Sequence, residues 1–209
     1  MPKSQSLTKL STKERITQAA YALFKARGYE QVKVNDICKE CQITKTGFYY
    51  HFDSKQSLLS HFYQEVIERI NQRALSFVLA ENYWQQLQVV YDELIDASME
   101  LGADLCSQLL MMNLKSDQGS FDFNPALATL TTAIIKKAQQ AGQIRNRADA
   151  HELFEAAAFA FLGCEVTWCI KKEKFSRRAI FYQNLELLFD IEPSLRSQQR
   201  HLALNEQVQ

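Results

Sequence analysis

Ile43-Thr44-Lys45-Thr46-Gly47-Phe48-Tyr49-Tyr50-His51-Phe52 describes a short helix whose two sides call for different surroundings. Thr44 suits an N-cap, because its hydroxyl can accept a first-turn N–H that has no partner within the helix. Phe48 and Phe52 lie four apart and point to a core. Thr46, Tyr49 and Tyr50 fall at i, i+3 and i+4 on the opposite side, with Lys45 beside them. Large aromatics turned to water signal a binding partner. Phenolic hydroxyls and an ammonium are groups that reach phosphates and base edges.

Working outward, Val34, Ile37, Cys38 and Cys41 line one face of a preceding helix, and Gln42-Ile43 leaves room only for a tight turn. Upstream, Ser11 and Glu14 fit a capping box. Ile16, Ala19, Ala20, Leu23 and Phe24 then recur at helical spacing until Gly28. Downstream, Asp53 or Ser54 can cap a fourth helix, expected to reach about Leu79 with Leu58, Leu59, Phe62, Val66 and Ile70 along it. Lys55 sits in its first turn, where the helix dipole disfavours a cation. A DNA phosphate at that point would resolve the conflict.

Further helices are expected at 82–100, 103–115, 124–141, 149–171 and 175–190, jointed at Gly102, Asn124-Pro125 and Gly142. Six Gly and three Pro in 209 residues argue against a turn-rich β fold and for an all-α chain of about nine helices. Charge is unevenly placed. Residues 1–55 hold ten Lys/Arg against five acids, so a +5 head sits on a −5 body in a chain that is neutral overall.

The run from Ile43 through Asp53-Ser54-Lys55, with Leu58-Leu59 after it, resembles the hallmark of the TetR family of regulators. Ala20-x-x-Leu23-Phe24, Gly28-Tyr29 and Asp36-Ile37 also stand where that family has its first helix, first turn and second helix. The resemblance implies an N-terminal three-helix DNA-binding domain over 9–69, with its helix-turn-helix at 33–52. A C-terminal helical domain for ligand binding and dimerisation would span 70–191, with a loosely ordered polar tail over 192–209. It further implies a homodimer that occupies a near-palindromic double-stranded DNA operator as a repressor and is released by a small-molecule effector. Thr44, Lys45, Thr46, Gly47, Tyr49, Tyr50, His51 and Lys55 would form the DNA-facing set. Three positions depart from the family pattern: Gln42 stands where Gly is frequent, Lys33 replaces a hydroxyl cap, and the glycine of the recognition helix comes one place later, as Gly47.

Other chemistries find little support. Cys38-x-x-Cys41 lacks two further ligands at zinc spacing and the βαβ setting of a redox motif, so both read as core residues. Cys106, Cys164 and Cys169 fall on expected helices and read the same way. A di-iron carboxylate site needs Glu three residues before His. Phe48, Leu58, Ala148 and Gln198 occupy those places. No Gly-rich phosphate loop or nucleophile elbow occurs, so neither enzyme, metal nor cofactor is expected. Residues 1–11 are polar, and the apolar run 153–170 carries Glu155 and Glu165; a cytoplasmic protein with no membrane span is expected.

In the body, Trp84, Tyr91, Met111, Met112, His151, Phe159 and Trp168 are candidates to line a pocket for a hydrophobic effector. The helix over 149–171 is apolar nearly all round. Phe154, Ala158, Phe161 and Leu162, with Phe181, Leu185, Leu188 and Phe189 from the next helix, are expected to pair two protomers as a four-helix bundle.

Overall fold

The computed structural model describes residues 11–61, 65–66, 70, 80–117, 119, 121–122 and 124–196. The chain is all-helical, with nine α-helices among the described residues, and divides into two compact units, residues 1–62 and 63–209. The first unit holds α1 (Thr12–Arg27), α2 (Val34–Cys41), α3 (Lys45–His51) and α4 (Lys55–Ser60). The second holds α5 (Tyr83–Leu101), α6 (Ala103–Lys115), α7 (Pro125–Gln140), α8 (Ala150–Ile170) and α9 (Arg177–Leu188), closed by a 3₁₀ turn at Pro193–Leu195.

Local chemistry sets the helix ends. The Ser11–Glu14 capping box is formed in both directions, with Ser11 N–H donating to Glu14 Oε2 at 2.7 Å and Glu14 N–H to Ser11 Oγ at 3.2 Å. Gly28 ends α1 at φ 80°, a backbone that costs L side chains strain, and its N–H donates to Phe24 O at 2.8 Å. Lys33 has no acceptor with which to cap α2. Instead its own N–H donates to Asp36 Oδ2 at 2.9 Å, which leaves half a capping box. The fourth helix is shorter than the apolar spacing suggests. It stops at Ser60, where the His61 N–H turns back onto the Ser57 and Leu59 carbonyls. Glu65, Val66 and Ile70 are again helical, and the rest of the stretch to Leu79 lies outside the described residues.

In the second unit α8 is the central element, packing on α6, α7 and α9, while α5 packs on α6 and α7. By length and composition α8 could cross a membrane, yet it carries Glu165, which lies 2.5 Å from Arg177 of α9 with both side chains buried. Arg177 also donates to the Ile95 carbonyl of α5 at 2.6 Å and lies 4.5 Å over the Trp168 ring, so one guanidinium joins three helices. The expected dimer face needs correcting here. Phe181, Leu185 and Phe189 are fully buried within the protomer and Phe154 nearly so. Phe161 is half-buried, edge-on to Phe181 at 5.4 Å. Their helical stripe faces α5 and α8, which use the same apolar surface a partner would. What α8 and α9 leave exposed is Phe159, Ile170 and Leu187, with Ala158, Leu162, Val166 and Leu188 half-buried.

The start of the expected loose tail is tied down. Ile144 and Ile191 form an isolated antiparallel bridge, and Arg196 donates to the Ile191 carbonyl at 2.7 Å and to Asp190 at 3.0 Å. Residues 197–209 lie outside the described residues.

Candidate nucleic-acid interface

The α2–turn–α3 unit is held from behind. The turn at Gln42 is left-handed, φ 55° and ψ 45°, as the frequent glycine there implies. It is secured by the Ile43 N–H donating to Cys38 O at 3.0 Å. Arg15 of α1 donates to the Cys41 carbonyl at 2.6 Å, placing a cation on the C-terminal end of α2, where the helix dipole favours one. The Cys41 thiol returns a hydrogen bond to the Arg15 carbonyl at 3.5 Å, and Cys38 donates to the Thr44 carbonyl at 3.8 Å. Both cysteines of the C-x-x-C are therefore buried fasteners of this turn. Arg15 has a role that amphipathic spacing does not reveal, because its partner is 26 residues away.

On α3, Thr44 is the N-cap and accepts from Gly47 N–H at 3.1 Å. Phe48 and Phe52 are buried, 6.0 Å apart between ring centres. Lys45, Thr46, Tyr49 and Tyr50 are exposed, Tyr50 by 85%. Tyr49 is edge-on to Phe48 at 5.4 Å, and the His51 ring is edge-on to Tyr50 at 5.0 Å, which orients the aromatic row. A Cβ added to Gly47 would meet Thr44 Oγ1 at 3.5 Å, an ordinary contact, so Gly47 is not required by crowding within the chain.

Lys55 departs from expectation. Its ammonium donates to the Tyr29 carbonyl at 2.8 Å and sits 4.0 Å over the Tyr29 ring. Partial burial lowers its pKa, with Glu30 pulling the other way. The conflict with the α4 dipole is thus met by an internal acceptor and a ring face. In the same unit, Lys13 donates to His61 Nε2 at 3.3 Å and lies 5.7 Å over Phe52.

The candidate pocket residues do not converge. Met111, His151 and Phe159 are exposed and Met112 is half-buried. Trp84 packs edge-on against Tyr182 and Phe189, whereas Trp168 lies under Arg177. These sites flank opposite ends of α9, roughly 18 Å apart at helical rise. Tyr91 packs on Phe181 between them. Burial raises the Tyr91 phenol far above its ordinary value. The Tyr91 hydroxyl, Trp84 Nε1 and Thr131 Oγ1 are buried polar atoms with no hydrogen-bond partner among the described residues.

Comparison with known proteins places this geometry. The family model of bacterial regulatory proteins, tetR family, matches residues 16–62. The transposon Tn10 TetC protein of Escherichia coli is 29% identical over 86 residues, covering 41% of this chain and 44% of that one. The biofilm operon icaADBC negative transcriptional regulator IcaR of Staphylococcus aureus is 44% identical over 46 residues, 22% of this chain and 25% of its own. The chain thus spans less than half the length of the curated relatives it matches. The crystal structure of Thermus thermophilus FadR, a TetR-family repressor in complex with lauroyl-CoA, superposes with a TM-score of 0.66 at 19% identity, covering 84% of this chain and 92% of that one, which shows the fold alone. Residues 16–62 of this chain thus match the N-terminal segment of bacterial regulatory proteins of the tetR family, and the all-helical fold is shared with a solved protein of that kind.

Proposed function

We propose that this chain is a cytoplasmic transcriptional repressor that binds a near-palindromic double-stranded DNA operator as a homodimer and is released by a small molecule held in its helical body. The exposed row Lys45, Thr46, Tyr49 and Tyr50 on α3, backed by buried Phe48 and Phe52, carries the DNA reading. A helix of this kind enters the major groove, with its hydroxyls and ammonium reaching phosphates and base edges. Repression is the role IcaR has by name, and the same direction of control is assigned here.

Two protomers would pair through the outward side of α8 and α9, with Phe159, Leu162, Val166, Ile170 and Leu187 in place of the residues the core consumes. The effector would combine an apolar body with hydrogen-bond acceptors that meet the buried donors Tyr91 O–H and Trp84 N–H, a description an acyl thioester fits. FadR of T. thermophilus binds such a molecule.

Duplexes selected from a random pool, titrated by fluorescence anisotropy, test the reading. The Tyr49→Ala/Tyr50→Ala double variant should bind at least about tenfold more weakly, ~1.4 kcal/mol, with an unchanged melting temperature, since neither ring belongs to the core. Equal operator affinity in that variant would remove α3 as the reading helix.

A further inference from the structure

Threonine hydroxyls on helices commonly close on the carbonyl four residues back, and this chain does so repeatedly. Thr17 donates to Lys13 O at 3.1 Å, Thr129 to Pro125 O at 2.8 Å and Thr167 to Gly163 O at 2.8 Å. Thr131 and Thr132 of α7 do not. Their hydroxyl oxygens are buried with no hydrogen-bond partner among the described residues, and the Tyr91 hydroxyl of α5 shares that condition. Thr131 is 1% exposed and Tyr91 4%. A buried polar atom left without a partner costs folding free energy, so three of them in one unit call for a further role.

The register of the helices brings the three together. The Trp84 N–H at the start of α5 donates to Gln143 Oε1 at 3.2 Å, and the Gln143 N–H donates to Ala138 O at 2.9 Å, so the last turn of α7 lies beside the first turn of α5. The two helices pack on each other, with Thr131, Ile134, Ile135 and Ala138 as the buried stripe of α7, and therefore run antiparallel. Tyr91 comes seven residues after Trp84 and Thr131 seven before Ala138. Each step is ~10.5 Å of helical rise, so Tyr91 and Thr131 stand at one level with Thr132 beside them. Phe181 of α9 closes that level, 5.0 Å from the Tyr91 ring and 5.4 Å from Phe161 of α8. We infer that Tyr91, Thr131 and Thr132 form the polar end of the effector site, which takes an uncharged head group (an alcohol, ester or amide) in preference to a free carboxylate. The inference rests on the effector reading above and names the chemistry of that site.

Charge decides the class of head group. Arg177 is the one buried cation among the described residues, and it is already held by Glu165 at 2.5 Å and the Ile95 carbonyl at 2.6 Å. Arg178, the next residue, is paired with Asp92 and Asp96. Lys136 and Lys137 of α7 are exposed. Glu93 is buried two residues after Tyr91, but ~200° around α5 and so on its other side. The Tyr91 phenol is kept protonated by burial and remains a donor. A carboxylate entering here would exchange its hydration for three neutral hydroxyls and no countercharge. A carbonyl or alcohol oxygen instead gains donors, and an alcohol O–H or amide N–H finds a threonine oxygen to accept it. The carbonyl of a thioester belongs to the same class. A few convergent polar groups at the end of an apolar cleft are the ordinary means by which a ligand is oriented.

The test uses the full chain and three octyl probes, 1-octanol, octanamide and octanoate, titrated by calorimetry under mildly alkaline conditions in which octanoate is ionised. Octanol and octanamide should each bind at least about tenfold more tightly than octanoate. Tyr91→Phe/Thr131→Val should weaken octanol binding about tenfold. The same double variant should raise the midpoint of urea unfolding, because it removes buried polar atoms that make no bond within the chain. Trp84 and Trp168 both lie in the second unit and report that midpoint by fluorescence, with no ligand required. Thr131→Val alone carries the same two expectations should the double variant fold poorly. A lowered midpoint would mean that the hydroxyls serve the fold, and it overturns the inference. Octanoate binding as tightly as octanol overturns the uncharged head group while an effector site stands. Binding of none of the three probes overturns the effector reading and this inference together.

Discussion

Replacing Lys55 by Met keeps the aliphatic stem and removes the ammonium that donates to the Tyr29 carbonyl at 2.8 Å and covers its ring at 4.0 Å. A hydrogen bond from a charged donor contributes about 1.5–3 kcal/mol. The ring contact adds roughly 0.5–1 kcal/mol at a half-exposed site. Relief of the ammonium's desolvation offsets part of this, leaving a loss of about 2 kcal/mol from the first unit, or roughly thirtyfold in its opening equilibrium. Trp84 and Trp168 both belong to the second unit, so tryptophan fluorescence is blind to this change. Hydrogen exchange at the amides of α1 and α3 reads it directly. The salt dependence of operator binding separates the two readings of this lysine. A phosphate contact would lower the slope of log K against log salt by about 0.9. The internal role leaves the slope unchanged. A slope lower by about one unit, with exchange rates as in the wild type, would refute the assignment of Lys55 to Tyr29.

Three further outcomes are expected. Arg177→Leu should destabilise the second unit by about 3–5 kcal/mol in urea unfolding, because it strands buried Glu165, whereas Glu165→Leu/Arg177→Leu together should lose far less. Phe159→Asp should yield folded monomers in sedimentation velocity, since that ring is 64% exposed, while Phe161→Asp should instead lower the melting temperature by damaging the contact with Phe181. Asp190 is held below the ordinary carboxylate value, chiefly by its hydrogen bond from Arg145 and then by the charges of Arg145 and Arg196. The folded form thus binds its proton less readily than the unfolded chain. Its contribution is complete above pH ~4 and is lost as pH falls through the lower folded value, so Asp190→Asn should flatten the acid limb of a pH–stability profile measured by circular dichroism.

Much of the architecture was legible because helix ends are set by neighbours in sequence. Ser11–Glu14, Gly28, Thr44, Gly102 and Asn124-Pro125 all act within a few residues. The division of α3 into a buried and an exposed face was legible for the same reason: Phe48 and Tyr50 must diverge on any helix. Partners distant in the chain were not. An apolar stripe of Phe181, Leu185 and Phe189 would look the same whether a second protomer or α5 and α8 covered it. The helix dipole pointed Lys55 to a DNA phosphate, whereas its ammonium is met by the carbonyl and ring of Tyr29, a partner 26 residues away that no helix rule names. Nor does a rule of spacing join Glu165 to Arg177. The end of α4 at Ser60 has no Gly or Pro beside it to announce it.

The fastening of the turn by Arg15 and Cys41 separates the scaffold of this domain from its vocabulary. Lys45, Thr46 and Tyr50 are exposed, while Arg15, Cys38, Cys41, Phe48 and Phe52 support α3 from behind. The outward positions can therefore be rewritten as a set without disturbing the support behind them. A library randomised at 45, 46 and 50 should retain folded members in high proportion and differ among them in the duplexes bound. A graft of residues 33–52 alone onto another helical carrier would leave Arg15 behind, and with it the clasp that aims the helix.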